Sequence, residues 1–217
     1  MAVAGHSVSN QTDLSLFTDF YIILLFLGVT GTIEGVNFVK TGKLVSLSEQ
    51  QLIDCSWPEQ NFGCDGGEDY KAYEYIIKTG GIALSEDYGN YLGVDGKCHD
   101  KNVKKAIKLE GFVNVSSNNS DALKAAIYFN GPVTVAIDAS PKTFSFYSSG
   151  VYNDPSCSNT ALDHQVLAVG YGSYNGEKYW IIKNSWSTHY GDDGYVLIAE
   201  KDNICGVMDV PTYPIIS

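Results

Sequence analysis

The stretch from Ala161 to Lys201 constrains the fold of this chain more than any other. Two apolar, β-rich runs, His164–Tyr171 and Tyr179–Lys183, flank Tyr174-Asn175-Gly176. Asn-Gly accepts the left-handed backbone of a two-residue hairpin turn, so the runs are expected to pair antiparallel. Closing that hairpin carries His164 and Asn184 to its open end. Whether the two side chains share a face depends on loop length and on any bulge at Gly170 or Gly172. An imidazole beside an amide carbonyl has a chemical use. The amide fixes one ring tautomer, and the other nitrogen can exchange a proton with a nucleophile. The plainer reading of such a pair is a core histidine satisfied by a loop asparagine.

The segments before the hairpin are mostly helical in pattern. Thr30–Lys40 reads as a helix stopped by Thr41-Gly42. Ser48-Glu49-Gln50-Gln51 looks like a capping box that opens a short helix ending near Asp54-Cys55. Gly63-Cys64-Asp65-Gly66-Gly67 is a tight turn, Glu68–Thr79 a helix capped by Gly80-Gly81, and Gly81–Gly96 largely loop. Ser120–Asn130 is a further helix, stopped by Gly131-Pro132. Strand signals then dominate, in Pro132–Ala139, the hairpin and Gly194–Glu200. Helices first and strands second predict an α+β protein of two lobes.

Composition excludes some functions. The 217 residues carry a formal net charge of −11, which repels phosphate backbones, so no nucleic-acid partner is expected. The five cysteines, Cys55, Cys64, Cys98, Cys157 and Cys205, include no short C-x-x-C pair, so disulfides are expected and a metal site or cofactor is not.

The motifs DHQVLAVGYG, KYWIIKNSW and GDDGYVLI, with GTIEG, LSEQQLIDCS and GCDGG upstream, resemble the papain-type cysteine peptidases in order and spacing. The resemblance runs from Gly28 to Ser217. It implies a papain-like fold, with a helical lobe over about 28–110, a β-barrel-like lobe over about 111–217 and a cleft between them. By the same resemblance His164 is the general base, Asn184 its orienting amide, and Trp186 a shield over their contact that also counts among the substrate-binding residues. Gly66 and Gly67 line the cleft, and Ala136, Leu162 and Val210 line the main specificity pocket with Gly67. Their small or apolar character implies a preference for apolar side chains one residue before the scissile one. Ser187 and Tyr190 stand where the family more often has glycine and tryptophan. The family pairs Cys55 with Cys98 and Cys157 with Cys205, which leaves Cys64 without the partner it normally has three residues before the nucleophile.

Residues 1–27 match no part of that family. Counting back without gaps puts the nucleophile slot at Leu24, the following tryptophan slot at Leu25 and the oxyanion glutamine slot at Thr18, while Gln11 lies too early. No cysteine precedes Cys55, and a leucine cannot form a thioester. The apolar run Phe20–Val29 is too short to span a membrane. It has the length of a signal-peptide core, but Asp13 and Asp19 precede it and no Lys or Arg occurs before Lys40, so a working signal is not expected. Alternatively Ile22, Leu25, Phe26, Val29, Ile33 and Val36 recur at helical spacing behind a possible Asp19 N-cap, and extend the following helix back through the slot. An alternative first exon or a translated intron is a third account. No propeptide of the family's kind is legible.

Three functional readings follow. The parental enzyme is a cathepsin-like endopeptidase of which this chain is an inactive version. The chain is otherwise a pseudopeptidase, monomeric, that binds peptide or protein substrates or cystatin-like inhibitors without turnover. Or the chain is left unstable by its replaced N-terminus. The resemblance implies a lysosomal or extracellular setting, where the sequons at Asn10, Asn114 and Asn118 would become usable.

Overall fold

The computed structural model describes residues 24–217. Gln11, Thr18, Asp19, Ile22 and the sequon at Asn10 lie outside them. The first helix, α1, spans Leu24–Thr41, so it starts at Leu24 rather than at Thr30. Leu25, Phe26, Val29, Ile33 and Val36 form one buried stripe along it, none more than 9% exposed. Thr30 does not open the helix, because its hydroxyl donates back to the Phe26 carbonyl at 2.9 Å. Two glycines on α1 admit close neighbours: an added Cβ at Gly31 would lie 2.6 Å from Leu167, and one at Gly35 2.6 Å from Pro132.

Helix α2, Glu49–Cys55, is capped by Ser48, whose hydroxyl accepts from the Gln51 N–H. The reciprocal half of the expected capping box is not formed. Gln51 instead donates to the Tyr75 hydroxyl and accepts from the Ala83 N–H, tying α2 to the segment beyond the next helix. Helix α3 covers Asp69–Thr79 and ends on Gly80 at φ 81°, as the sequence predicts. Within the expected loop Gly81–Gly96 lies one further turn of helix, α4 at Ser85–Tyr88.

Helix α5, Ser120–Asn130, has the bounds read from the sequence. Its N-cap is Asn119, whose side chain accepts from Ala122 N–H. Strand β1 is Leu109–Asn114 and β2 is Val133–Ile137. After a short helix, α6 at Lys142–Ser145, come β3 (Val151–Tyr152), β4 (His164–Tyr174), β5 (Glu177–Lys183), β6 (Tyr195–Ala199) and β7 (Thr212–Ile216). They form a sheet in the order β1-β7-β2-β4-β5-β6-β3. The β4–β5 turn has positive φ at both Asn175 (50°) and Gly176 (83°), the conformation that Asn-Gly favours.

The β4–β5 ladder slips by one residue between Ala168 and Gly170. Beyond the slip Leu167 faces Lys183, which puts His164 and Asn184 on the same side of the hairpin. Without it Ala168 would face Lys183, and the two side chains would project to opposite sides.

Two buried cores result. One gathers α5, β2, β4, β5 and β6 around the fully buried Trp180 and Phe144. The other gathers α1, α2 and α3 around Phe26, Ile33, Leu52 and Tyr73, and it recruits Leu109 and Ile216 from the paired β1 and β7. Disulfides join Cys55 to Cys98 and Cys157 to Cys205, the pairs that the resemblance implied. Asn114 and Asn118, the other two sequon residues, are exposed. Among the described residues no helix is long and apolar enough to cross a membrane.

Candidate active site

His164 opens β4 and is 2% exposed. Its Nε2 lies 2.8 Å from the side-chain oxygen of Asn184, which also accepts the Ser185 N–H at 2.8 Å. An amide oxygen only accepts, so Nε2 carries the ring proton and Nδ1 is the basic nitrogen. Trp186 stacks over the imidazole, with centroids 5.2 Å apart and planes 27° off parallel. Phe144 and Tyr190 pack edge-on against Trp186 in turn. Under this cover burial pushes His164 down to about 4, and the Asn184 hydrogen bond offsets only part of the effect. The ring is therefore neutral through the mildly acidic and neutral range.

A cavity of about 320 Å³ opens beside His164. Gly66 and Gly67 from the glycine-rich turn line it, with Ala136 from β2, Leu162, Val210 and Leu25 from α1. The structure thus brings together every residue that the sequence nominates for substrate contact except Trp186, which covers the imidazole instead. Gly67 is held at φ 158°, and a Cβ there would meet the Asn61 side chain at 2.0 Å. Asn61, fully buried, fixes this turn by accepting the Glu68 N–H at 2.9 Å. Sequence reasoning passed over Glu68, Thr160, Asp163 and Gln165, which also line the cavity. Glu68 follows the diglycine directly, so its position was legible, but its direction was not.

A second cavity, about 220 Å³, lies against Asn184 and is lined by Thr30, Glu34, Glu49, Gln165, Lys183 and Ser185 among others. Burial raises both Glu34 and Glu49, and Lys183 pulls Glu34 back only weakly. Where the sequence places the nucleophile slot, the backbone of Leu24 begins α1, directly before the cavity-lining Leu25. Four of the cysteines are in disulfides. Cys64 sits in a single turn, Gly63–Asp65, where its N–H donates to Asp95 at 2.7 Å, and it is not among the residues lining either cavity. Cys55, Cys98 and Asp100 cluster at metal-ligand spacing, but both sulfurs are consumed by the disulfide.

The sequence profile of the papain family of cysteine proteases matches residues 26–215. The chain belongs to this family. A cathepsin L-like peptidase of Aedes aegypti is 49% identical over 189 residues, which is 86% of this chain and 56% of that protein. The chain thus spans about half the length of the curated relatives it matches. A digestive procathepsin L 3 from the larval midgut of Tenebrio molitor superposes with a TM-score of 0.81 at 38% identity, over 88% of this chain and 62% of that one. Bromelain from Ananas comosus, solved in complex with the E64 inhibitor, superposes with the same TM-score, 0.81, at 36% identity, over 89% of this chain and 88% of that one. The papain-like architecture of helices and a mixed sheet is shared with both.

Proposed function

We propose that this chain is a papain-family member that has kept the peptide cleft and lost the nucleophile, so that it binds peptides beside His164 without hydrolysing them. One observation carries the reading. Helix α1 begins at Leu24, the position that the register gives to the nucleophile, and its next residue, Leu25, lines the same cavity as His164, which Asn184 orients. In an active relative the counterpart of Nδ1 would take the thiol proton, and the resulting thiolate would attack the peptide carbonyl. No atom of a leucine can give up such a proton or form the thioester. The oxyanion donor is lost with it, since the register assigns threonine 18 to the glutamine slot.

Support for a retained cleft comes from the lining residues, which converge from the glycine-rich turn, β2 and α1 on one cavity. Relatives named as cathepsins and digestive proteinases, and the E64 complex of bromelain, support peptide-like occupants. Cystatin-like inhibitors are further candidate partners, a monomer the expected state, and the lysosome or extracellular space the expected location. The test is hydrolysis of fluorogenic peptides alongside binding of the same peptides by fluorescence anisotropy. Binding without turnover is the expected outcome. Turnover that scales with the purified chain and survives removal of contaminating proteases would overturn the loss of activity, and absence of any binding would overturn the cleft.

A further inference from the structure

The cavity beside His164 differs from what its small and apolar residues suggest. Part of its wall is aliphatic, with Ala136, Leu162 and Val210. Its charged lining residues are Glu68 and Asp163, and no Lys or Arg is among them. His164, the remaining titratable group there, is neutral above about pH 4 because it is buried. Glu68 is exposed and takes part in none of the ion pairs formed among the described residues, nor does Asp163. Asp163 accepts the Ala139 N–H at 2.7 Å, which fixes its carboxylate at the end of β2.

A peptide side chain with an aliphatic stem and a cationic head matches this arrangement. The stem covers Ala136, Leu162 and Val210, as lysine and arginine stems do on apolar surfaces. The head then meets two carboxylates, Glu68 and Asp163, that form no ion pair among the described residues. We infer that this cavity selects a lysine- or arginine-type side chain of the bound peptide, with Glu68 as the specificity-determining residue. The inference rests on reading the cavity as a peptide cleft and names the class of ligand that the cleft prefers. Because Glu68 is solvent-exposed, the preference is modest and sensitive to salt.

The test compares three peptides that differ at one position, bearing arginine, its neutral isostere citrulline, or leucine. Binding of each to the whole chain is measured by fluorescence anisotropy at low and high salt. The arginine peptide is expected to bind about threefold to fivefold more tightly than the citrulline peptide at low salt. That ratio should collapse toward one in Glu68→Gln and at high salt, while Asp163→Asn reduces it less. Circular dichroism of Glu68→Gln checks that the fold is intact. Equal affinities for arginine and citrulline overturn the inference and leave peptide binding standing, as does a leucine peptide that binds most tightly. No binding of any of the three overturns the cleft itself.

Discussion

Two regions of different character meet at the cavity beside His164. At the open end of the β4–β5 hairpin the side chains match the papain family and hold a chemical arrangement, with imidazole, amide and indole in contact. At the start of α1 the side chains do no such chemistry, yet they pack as completely. Leu25 is 5% exposed, and Phe26 and Val29 are fully buried. The difference teaches that packing and chemistry are specified with unequal strictness. A buried helix face asks only for apolar residues of suitable size at the right period, and many sequences meet that demand. A nucleophile asks for one atom type at one position.

The sharpest way to break this comparison is to put a thiol at position 24. On the proposed reading, Leu24→Cys should raise peptide hydrolysis by about tenfold to a hundredfold over the wild-type chain, well below a complete enzyme because the substitution does not restore the oxyanion glutamine. No gain at all, in a variant that still folds, would show that α1 does not present residue 24 to His164. Packing is tested next. Phe26→Ala and Trp180→Ala should each lower the free energy of unfolding by about 3–5 kcal/mol in urea titrations, with one cooperative transition. A cost below about 1 kcal/mol for Phe26→Ala alone would mean that the start of α1 is not part of the core.

Acid titration separates the two regions more finely. Asp69, near the helical core, is held up at about 6, chiefly by burial, so the folded state binds its proton more tightly than the unfolded chain. Its contribution is present below the ordinary carboxylate value of 3.8 and is lost as pH rises through about 6. His164 runs the other way. Its value is lowered from 6.5 to about 4, so its contribution is present above 6.5 and is lost as pH falls through that window. The two slopes oppose each other between about 4 and 6. Asp69→Asn should therefore be more stable than wild type at pH 7 by about 2–3 kcal/mol, near equal to it below the carboxylate range, and more acid-sensitive in between. Wild-type and variant unfolding curves at four or five pH values would show this, and a parallel pH profile would refute it. The smallest effect is outside both regions. Ser48→Ala should cost about 1 kcal/mol, the worth of a single cap, and Gln51→Glu should not recover the missing half of the capping box, because Gln51 is engaged with Tyr75 and Ala83.

The sequence alone was sufficient for whatever depends on local period and local chemistry. Apolar spacing placed α3 and α5, Asn175-Gly176 placed the hairpin, and the helical repeat of Leu25, Phe26, Val29, Ile33 and Val36 already contained the backward extension of α1. It also established that no thiol precedes Cys55. Tertiary structure decided what depends on non-local registry. A one-residue slip at Ala168–Gly170 put His164 and Asn184 on one side of the hairpin, and a strand with period two gives no local sign of such a slip. The acidic rim of the cavity was hidden for a related reason. Glu68, Ala136, Asp163 and Val210 are far apart in the chain, and only the closure of the sheet against the glycine-rich turn makes them walls of one space.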